Sequence, residues 1–376
     1  MFLTQLHLTN FRNYINQDVF FNNRINIFEG ANGQGKTNLL EAIYYLAVSH
    51  SFRTIHDYEL VYWNGSGFFL KGTLKKKNNI DTVQIGYQAS TKNTKIKVNG
   101  SLMKRGDFIY QVPIVAFSPD DILIIKEGPA IRRRYINLEG SRLKPAYYHL
   151  LKDYHRVLQH RNRLLKENRF NSIDRSIFEP WDRALVLLGS KIIKQRIALL
   201  RALEKQAQDF FIQMTNHNEK LTLNYVSNIE FDKDSDGIEQ AFSDHLKKGS
   251  TEEIRRGCTV FGPHLDDFTI MINDYDAKRY SSQGQQRTAA LALRMAEVEL
   301  FYLSSRERPI VLFDDVFSEL DPKRREQLIN FLLQREGQSF ITTAVPIEDY
   351  DFQKEKVNIF FVDEGKVYDE RARFGH

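Results

Sequence analysis

The chain has 376 residues, of which 42% are hydrophobic and 27% charged, as is ordinary for a globular protein of two or three domains. Its one cysteine, Cys258, excludes an intrachain disulfide and a metal centre of paired cysteines. The N-terminus lacks a basic, apolar leader, and no apolar run approaches the roughly 20 residues of a membrane span. We therefore expect an untargeted cytoplasmic protein with no membrane partner.

The net charge of +5 is distributed unevenly along the chain. Residues 128–211 carry 18 Lys and Arg against 8 Asp and Glu, so this segment is basic and the rest of the chain is acidic. Such a segment is typical of a protein that binds a polyanion. A solvated helical surface is the alternative, and charge alone does not decide between the two.

Apolar periodicity predicts an α/β chain with a helical middle. In chain order, the predicted elements are strands over 2–8 and 24–30, a helix over 37–48, an antiparallel patch of short strands within 58–117 that includes VPIVAFSP, long helices over 145–170 and 181–214, strands at KLTLNYV and DFTIMIN, a helix over 287–303, a strand at PIVLFDDV, a helix over 322–334, and strands at SFITTAV and VNIFFVDEGKVY. This order predicts one α/β core built from 1–125 and 216–376, with a helical insertion over 126–215.

A glycine-rich loop, GANGQGKT, follows a predicted strand and opens a predicted helix. It matches the phosphate-binding loop G-x-x-x-x-G-K-[ST] in full. Its glycines let backbone N–H groups face phosphates, while Lys36 supplies a positive charge and Thr37 a hydroxyl for Mg²⁺. The loop predicts binding of a nucleoside triphosphate. The predicted binding residues are Gly30, Ala31, Asn32, Gly33, Gln34, Gly35, Lys36 and Thr37.

Paired acids end the buried-strand pattern PIVLFDDV. Such a strand delivers Asp314 and Asp315 at its carboxyl end, beside the phosphate-binding loop. We expect Asp314 to hold Mg²⁺ and Asp315 to act in catalysis by orienting the attacking water. Because Asp315 is one methylene shorter than the glutamate common in related ATPases, we expect slow hydrolysis.

A second polar, glycine-containing stretch, SSQGQQRT, stands before the helix predicted over 287–303. Ser282, Gly284 and Gln285 would present a hydroxyl and free backbone N–H groups to an anion. An N-capped helix with an incidental glycine is the alternative. The stretch resembles the signature motif of the ATP-binding-cassette ATPases, Leu-Ser-Gly-Gly-Gln. The resemblance implies that the triphosphate held by one chain is contacted by the other chain's Ser282, Gln283, Gly284 and Gln285.

Three further segments take roles from the same resemblance. SELD, with Ser318 and Asp321, is similar to the D-loop that runs between paired nucleotide sites. Related ATPases carry a histidine after the last core strand, where ITTAV makes Thr342 or Thr343 the nearest polar candidate for sensing ATP. Arg53 in SFRT is similar to an arginine that reaches ATP in SMC-like heads.

The resemblance extends along nearly the whole chain. Six blocks match in order and spacing: LHLTNFRNY, GANGQGKTNLLEAIYYLAVSHSFRT, FSPDDILIIKEGPAIRRRYIN, GPHLDD, SSQGQQRTAALALRMAEVEL and LFDDVFSELD. They resemble the RecF family of bacterial recombination mediators, SMC-like members of the ATP-binding-cassette ATPases. The resemblance implies an ATP-binding-cassette-type P-loop ATPase head with an antiparallel β patch and a helical insertion domain, without a long coiled coil.

Activity and partners are implied by the same family. Its members form a homodimer on ATP and Mg²⁺, bind duplex DNA, preferably near single-strand gaps, and hydrolyse ATP slowly with stimulation by DNA. With RecR and RecO they promote loading of RecA in recombinational repair and replication restart.

Basic residues in three places are candidates for DNA contact. The densest run is Arg132, Arg133 and Arg134; on a helix, three consecutive residues fan around the circumference, so at least one is expected to point inward or to pair with an acid. A structural or ATP-sensing role is the alternative for this run, and the lysine run could be a solvated turn. The candidates are Arg132, Arg133, Arg134, Arg142, Arg156, Arg161, Arg163, Lys166, Lys75, Lys76 and Lys77.

Two other protein classes share part of this pattern. A transporter ATPase subunit carries the same nucleotide motifs but normally lacks so large a basic helical insertion. A P-loop kinase of small molecules leaves SSQGQQRT unexplained. His264, in a Gly-Pro-His turn, is interpreted as structural rather than catalytic.

Overall fold

The computed structural model describes residues 1–21, 24–76, 79–168, 175–215, 219–231, 237–345 and 357–369. The chain forms two compact units. The first contains Met1–Asp121 and Glu297–His376, and the second contains Ile122–Ala296. The predicted helical insertion, 126–215, lies within the second unit, which also takes in residues 216–296.

Strands dominate the first unit, and helices dominate the second. The strands are β1 (Phe2–Phe11), β2 (Tyr14–Phe20), β3 (Ile25–Glu29), β4 (Gly67–Lys75), β5 (Ile80–Gln88), β6 (Asn93–Val98), β7 (Ser101–Met103), β8 (Ile114–Phe117), β9 (Leu221–Val226), β10 (Asp267–Ile272), β11 (Tyr275–Asp276), β12 (Ile310–Asp314), β13 (Ser339–Thr343), β14 (Val357–Asp363) and β15 (Lys366–Asp369). The α-helices are α1 (Lys36–Val48), α2 (Arg105–Phe108), α3 (Leu123–Lys126), α4 (Pro129–Leu143), α5 (Pro145–Glu167), α6 (Glu179–Met214), α7 (Ile238–Arg256), α8 (Ala277–Tyr280), α9 (Gln283–Ser305) and α10 (Pro322–Gln334).

A six-stranded sheet, in the order β15-β14-β3-β13-β12-β8, forms the centre of the first unit. All its neighbouring pairs are parallel except β14 with β15. Every residue of β3, β12 and β13 is buried, as expected of parallel strands covered on both faces. Parallel pairing brings the carboxyl ends of these three strands to one edge of the sheet.

The second sheet of this unit is antiparallel, in the order β2-β1-β4-β5-β6-β7. It corresponds to the predicted β patch, and β4 and β5 show the expected alternation of buried and less buried residues. The prediction was wrong for VPIVAFSP, because β8 from this stretch pairs in parallel with β12 in the central sheet. Its four consecutive buried residues are the pattern of a parallel strand, and Phe117 stacks on Phe313 at 4.4 Å between ring centroids.

In the second unit, α5 and α6 occupy the predicted long-helix regions and pack against each other. Leu151, Leu158 and Leu185 lie in their shared core, together with Ile192 and Phe242. A three-stranded antiparallel sheet, β11-β10-β9, belongs to the same unit. At 36 residues, α6 is the longest helix among the described residues, so this part of the chain contains no long coiled-coil arm.

The GPHLDD loop is tied to the helices of the second unit by its histidine. Tyr154 donates its hydroxyl hydrogen to Nδ1 of His264 at 2.7 Å, and Nε2 lies 3.3 Å from the carbonyl oxygen of Thr259. Burial lowers the pKa of His264 to about 4, so the ring is neutral at physiological pH. This arrangement agrees with the structural role that we expected for His264.

Candidate functional site

The glycine-rich loop connects the end of β3 to the start of α1. Gly33 and Gly35 have φ values of +85° and +116°, which disfavour residues with a Cβ atom. A Cβ atom at Gly35 would also lie 2.5 Å from Nδ2 of the Asn13 side chain. The backbone conformation therefore favours glycine at both positions, and at Gly35 a Cβ atom would also displace the Asn13 side chain.

Residues from two hairpins hold the loop in place. Asn13 donates from Nδ2 to the carbonyl oxygen of Gln34 at 3.0 Å, and the Tyr14 hydroxyl donates to the carbonyl oxygen of Gly35 at the same distance. On the other side, the N–H of Glu364 donates to Oε1 of Gln34 at 2.7 Å. No role was predicted for Asn13 or Tyr14, because these contacts join residues more than 20 positions apart.

The ammonium group of Lys36 lies against the carbonyl oxygens of its own loop. Nζ donates to Gly30 at 2.6 Å and to Ala31 at 2.9 Å. Burial lowers the pKa of Lys36, and the carboxylates of Asp315 and Asp314 oppose this effect. Lysine and both acids are thus close enough to interact electrostatically.

Asp314 ends β12 at the sheet edge beside the loop. Its Oδ1 accepts hydrogen bonds from the hydroxyls of Thr37, at 2.7 Å, and Thr342, at 2.9 Å. Burial raises the pKa of Asp314, while the bonds from Thr37 and Thr342 lower it. A carboxylate and a hydroxyl are hard oxygen ligands of the kind Mg²⁺ takes when substrate phosphates and water complete its shell. The residues present therefore fit a magnesium ion.

Asp315 adopts a left-handed backbone conformation, with φ 50° and ψ 26°. Its N–H donates to the Thr342 hydroxyl at 2.9 Å, so Thr342 contacts both acids. Thr343, the other candidate, instead donates its hydroxyl hydrogen to the carbonyl oxygen of Val345. Asp315 and Thr342 line a cleft of about 300 Å³ in the first unit. The other residues lining it are Asn32, Gly33, Gly35, Lys36, Thr37, Asn38 and Arg53.

Arg53 is fixed at this cleft by a buried acid that the sequence analysis missed. Its Nη1 donates to Oδ1 of Asn38 at 2.9 Å and lies 3.4 Å from Oε2 of Glu41. Glu41 is fully buried and also accepts two hydrogen bonds from Arg12, at 2.8 and 2.9 Å. An acid within the otherwise apolar run LLEAIYYLAV was the available signal, because a buried carboxylate requires partners.

In the second unit, SSQGQQRT spans the start of α9. The helix begins at Gln283, so the predicted start at 287 was wrong. The N–H of Gln285 donates to Oγ of Ser282 at 3.2 Å, and the N–H of Ser282 donates to Oε1 of Gln285 at 2.8 Å. This reciprocal pair is a capping box, which stabilises the helix start and which the periodicity of the apolar residues did not reveal.

The segment after Asp315 is held by short-range hydrogen bonds. The Ser318 hydroxyl donates to the carbonyl oxygen of Asp315 at 2.7 Å. Asp321 caps α10 by accepting a hydrogen bond from the N–H of Arg324 at 3.0 Å. Both Ser318 and Asp321 are exposed.

Three of the basic residues proposed to contact DNA are buried in ion pairs. Arg132 binds both carboxylate oxygens of Asp267, at 2.8 and 2.7 Å. Arg142 pairs with Glu139 at 3.1 Å. Arg161 pairs with Asp182 and Glu253, at 2.6 Å each. Because these guanidinium groups are committed to the interior, the structure contradicts their selection as DNA contacts.

The remaining candidates differ in how freely they face solvent. Arg133 donates to the carbonyl oxygen of Asp266 at 2.9 Å, and Lys76 pairs with Asp81 at 2.8 Å. Lys77 lies outside the described residues. The exposed candidates are Lys75, Arg134, Arg156, Arg163 and Lys166, with Arg156 and Arg163 in surface pairs with Asp153 and Glu167.

Across the described part of the chain, no helix is both long and apolar enough to cross a membrane. Nor do the described residues contain a cluster of three or more His, Cys, Asp or Glu side chains suited to a metal ion.

The chain is similar to known proteins over nearly its full length. The family described as RecF/RecN/SMC N terminal domain matches residues 2–367. The DNA replication and repair protein RecF of Natranaerobius thermophilus is 39% identical over 98% of both chains, and that of Halothermothrix orenii is 38% identical over 98% of both.

Solved structures give the same result. A structure of the recombination mediator protein RecF-ATP in the RecFOR pathway matches with a TM-score of 0.89 and 35% identity, covering 98% of this chain and 97% of that one. An Smc head bound to the C-winged helix domain of ScpA matches with a TM-score of 0.56, 15% identity and 99% of both chains, and shows the fold alone. These matches confirm the predicted fold, the ATPase head of SMC-like and ATP-binding-cassette proteins. The chain belongs to the RecF family of DNA replication and repair proteins.

Proposed function

We propose that this protein is an ATP-driven switch that binds duplex DNA during recombinational repair and replication restart. One observation carries the proposal: Lys36, Thr37 and Asp315 line one cleft in the first unit, and Asp314, at the carboxyl end of β12, accepts a hydrogen bond from Thr37. That cleft has the groups required to hold a triphosphate with Mg²⁺. The solved relatives named as RecF-ATP support ATP as the nucleotide.

Each residue of the phosphate-binding loop and each of the paired acids has a distinct part in this proposal. The N–H groups of residues 30–37 bind the phosphates, and Lys36 exchanges its loop carbonyls for phosphate oxygens. Thr37 and Asp314 hold Mg²⁺, which neutralises charge on the phosphates. Asp315 orients the attacking water, and its position is set by the bond from its N–H to Thr342. Because the aspartate side chain is short, ATP hydrolysis is slow. Hydrolysis ends the ATP-bound state.

Two copies of the chain close on ATP in this proposal, with Ser282–Gln285 of one copy meeting the nucleotide of the other. The capping box satisfies the N–H groups of Ser282 and Gln285. Those of Gln283 and Gly284 have no partner among the described residues, so the exposed end of α9 retains donors for an anion. Ser318 and Asp321 lie along the same interface.

In this proposal, the basic helices within 126–215 bind duplex DNA, preferably near single-strand gaps. The protein acts in the cytoplasm. The RecFOR pathway named for the solved relatives supports RecR and RecO as partners, with RecA loading as the outcome. No base-reading motif is present in the sequence, so binding acts through phosphates and weakens steeply with salt.

The test is molar mass by light scattering, with and without ATP·Mg²⁺, for the wild type, Lys36→Met and Ser282→Arg, with duplex binding followed in parallel. We expect ATP to double the mass and tighten duplex binding in the wild type only. Ser282→Arg, which leaves the cleft unchanged, should still bind a fluorescent ATP analogue, and Lys36→Met should not. A wild type that binds ATP but no DNA would favour a transporter ATPase subunit, and a phosphorylated small-molecule product would favour a kinase.

A further inference from the structure

Helix α6 carries a row of basic side chains along its outer face. Its inner face is buried through residues such as Leu185, Ile192, Leu200, Leu203 and Phe211. The outer row recurs at intervals of three, four, seven and eight residues, the spacing of one helix face. We call this row the basic stripe. It consists of the exposed residues Arg183, Lys191, Lys194, Arg201 and Lys205.

The charge of the basic stripe is almost uncompensated. Lys191, Lys194, Arg201 and Lys205 form no ion pair with any described residue. Arg183 lies 3.6 Å from Glu179, and both side chains are highly exposed. On a solvated helix, an acid three or four residues from a base can pair with it and stabilise the helix.

Two acids that could balance the stripe are engaged elsewhere. Asp182 pairs with the buried Arg161, and Oε2 of Glu204 accepts a hydrogen bond from the N–H of Leu223 at 2.6 Å. The exposed Asp209 follows Lys205 by one turn and ends the basic row. Four free cations therefore remain on one side of a single rigid element.

The length of the basic stripe is close to that of one turn of duplex DNA. Arg183 and Lys205 are 22 residues apart, which is about 33 Å along an α-helix at roughly 1.5 Å per residue. One turn of duplex DNA is about 34 Å long, and the duplex carries about one charge per 1.7 Å of its axis. Leu187 is the one exposed large apolar side chain of α6 between Arg183 and Lys205, so this face lacks the cluster of aromatic and apolar anchors of a protein interface.

We propose that the basic stripe of α6 binds the sugar–phosphate backbone of duplex DNA. The proposal rests on the proposed function, and it assigns the contact to residues that the sequence analysis did not select. Lysine and arginine on a straight helix contact phosphates without reading bases, so the stripe contributes affinity and orientation and no sequence preference.

The test compares two quadruple variants with the same loss of charge. The stripe variant is K191Q/K194Q/R201Q/K205Q, in which glutamine keeps the helix propensity. The control variant, K220Q/K248Q/K323Q/K366Q, changes four exposed lysines that also form no ion pair with described residues. Duplex affinity is measured by fluorescence anisotropy with ATP·Mg²⁺ over a series of salt concentrations, and circular dichroism checks the fold.

We expect the stripe variant to bind the duplex at least about tenfold more weakly at low salt, with a salt slope smaller by up to about 3.6, which is 0.9 for each of four phosphate contacts. The control variant should keep both values close to those of the wild type. A wild type that does not bind the duplex would refute the proposed function itself. Wild-type binding that weakens equally in both variants, or in neither, would refute the stripe and leave DNA binding standing.

Polyglutamate, titrated in the same assay, distinguishes a stripe that binds DNA from a stripe that binds an acidic protein. If the stripe variant loses affinity for polyglutamate as strongly as for the duplex, the stripe is a general anion surface and its assignment to DNA is wrong. A loss confined to the duplex supports the assignment.

Discussion

At the scale of single residues, the candidate site holds charged groups in places where they are poorly solvated. Asp314 is buried, and its bonds from Thr37 and Thr342 only partly offset the cost of burying a carboxylate. The folded protein therefore binds a proton at Asp314 more readily than the unfolded chain does. Without nucleotide and metal, this carboxylate makes the folded state less stable at neutral pH.

The substitution Asp314→Asn tests this conflict between stability and function. Asparagine keeps an oxygen for the two hydroxyl donors and removes the charge, so we expect nucleotide-free stability near pH 7 to rise by about 0.5–2 kcal/mol. Asp314 has a higher pKa in the folded protein than in the unfolded chain. The wild type should therefore lose stability as pH rises from the lower value through the higher one, because the folded protein then loses the proton that it held more tightly at Asp314. The variant should lack this component. Chemical denaturation over pH measures both effects.

The same variant should gain no stability from ATP·Mg²⁺, because the site would have lost a metal ligand. Thr343→Val is the matched control, since the Thr343 hydroxyl bonds to Val345 and not to the acids. An Asp314→Asn protein that is less stable than the wild type at neutral pH would contradict the interpretation.

Arg161 and Arg163 are two residues apart in the sequence but differ in burial. Arg161 has 2% of its side chain exposed and binds Asp182, Glu253 and Thr259, whereas Arg163 is 78% exposed. Replacing Arg161 with methionine leaves Glu253 charged and buried, and we expect a loss of about 3–5 kcal/mol in unfolding free energy. Arg163→Met should change it by less than about 0.5 kcal/mol. Equal losses in urea denaturation would disprove the assignment.

At the scale of elements, the start of α9 combines a structural and a proposed functional role in one side chain. Ser282→Ala removes the cap, and we expect it to cost about 1 kcal/mol of stability. Ser282→Asn keeps a good capping residue and should restore stability, yet it should not restore the ATP-dependent increase in mass if the hydroxyl contacts the nucleotide. Full dimerisation of Ser282→Asn would show that Ser282 acts only as a cap.

Elements whose signal is local were predictable from the sequence. The helix after the phosphate-binding loop, α10 and the strand before the paired acids all follow from short patterns of apolar residues, glycine and proline. Contacts between distant segments were not predictable. The support of Gln34 by Asn13, the partners of Glu41 and the pairing of β8 with β12 depend on which segments the fold brings together. The burial of Arg161 beside the exposed Arg163 has the same cause.

At the scale of the whole molecule, the two candidate parts of the ATP site belong to different units. The cleft is lined entirely by residues of the first unit, and Ser282–Gln285 belong to the second. In the proposed function, two copies join these parts, so ATP binding and dimerisation are linked. Anything that binds only the folded dimer then raises the melting temperature by mass action.

This linkage predicts a concentration dependence of thermal stability. With saturating ATP·Mg²⁺, the melting temperature of the wild type should rise with protein concentration, because folded dimers form from two unfolded chains. Without nucleotide it should be independent of concentration. Ser282→Arg should still gain about 2.7 kcal/mol at a ligand concentration near 100 times Kd, since its cleft is unchanged, but should show no concentration dependence. Differential scanning calorimetry over a wide range of protein concentration makes the measurement. A concentration dependence that persists in Ser282→Arg would place the ATP-linked contact elsewhere on the molecule.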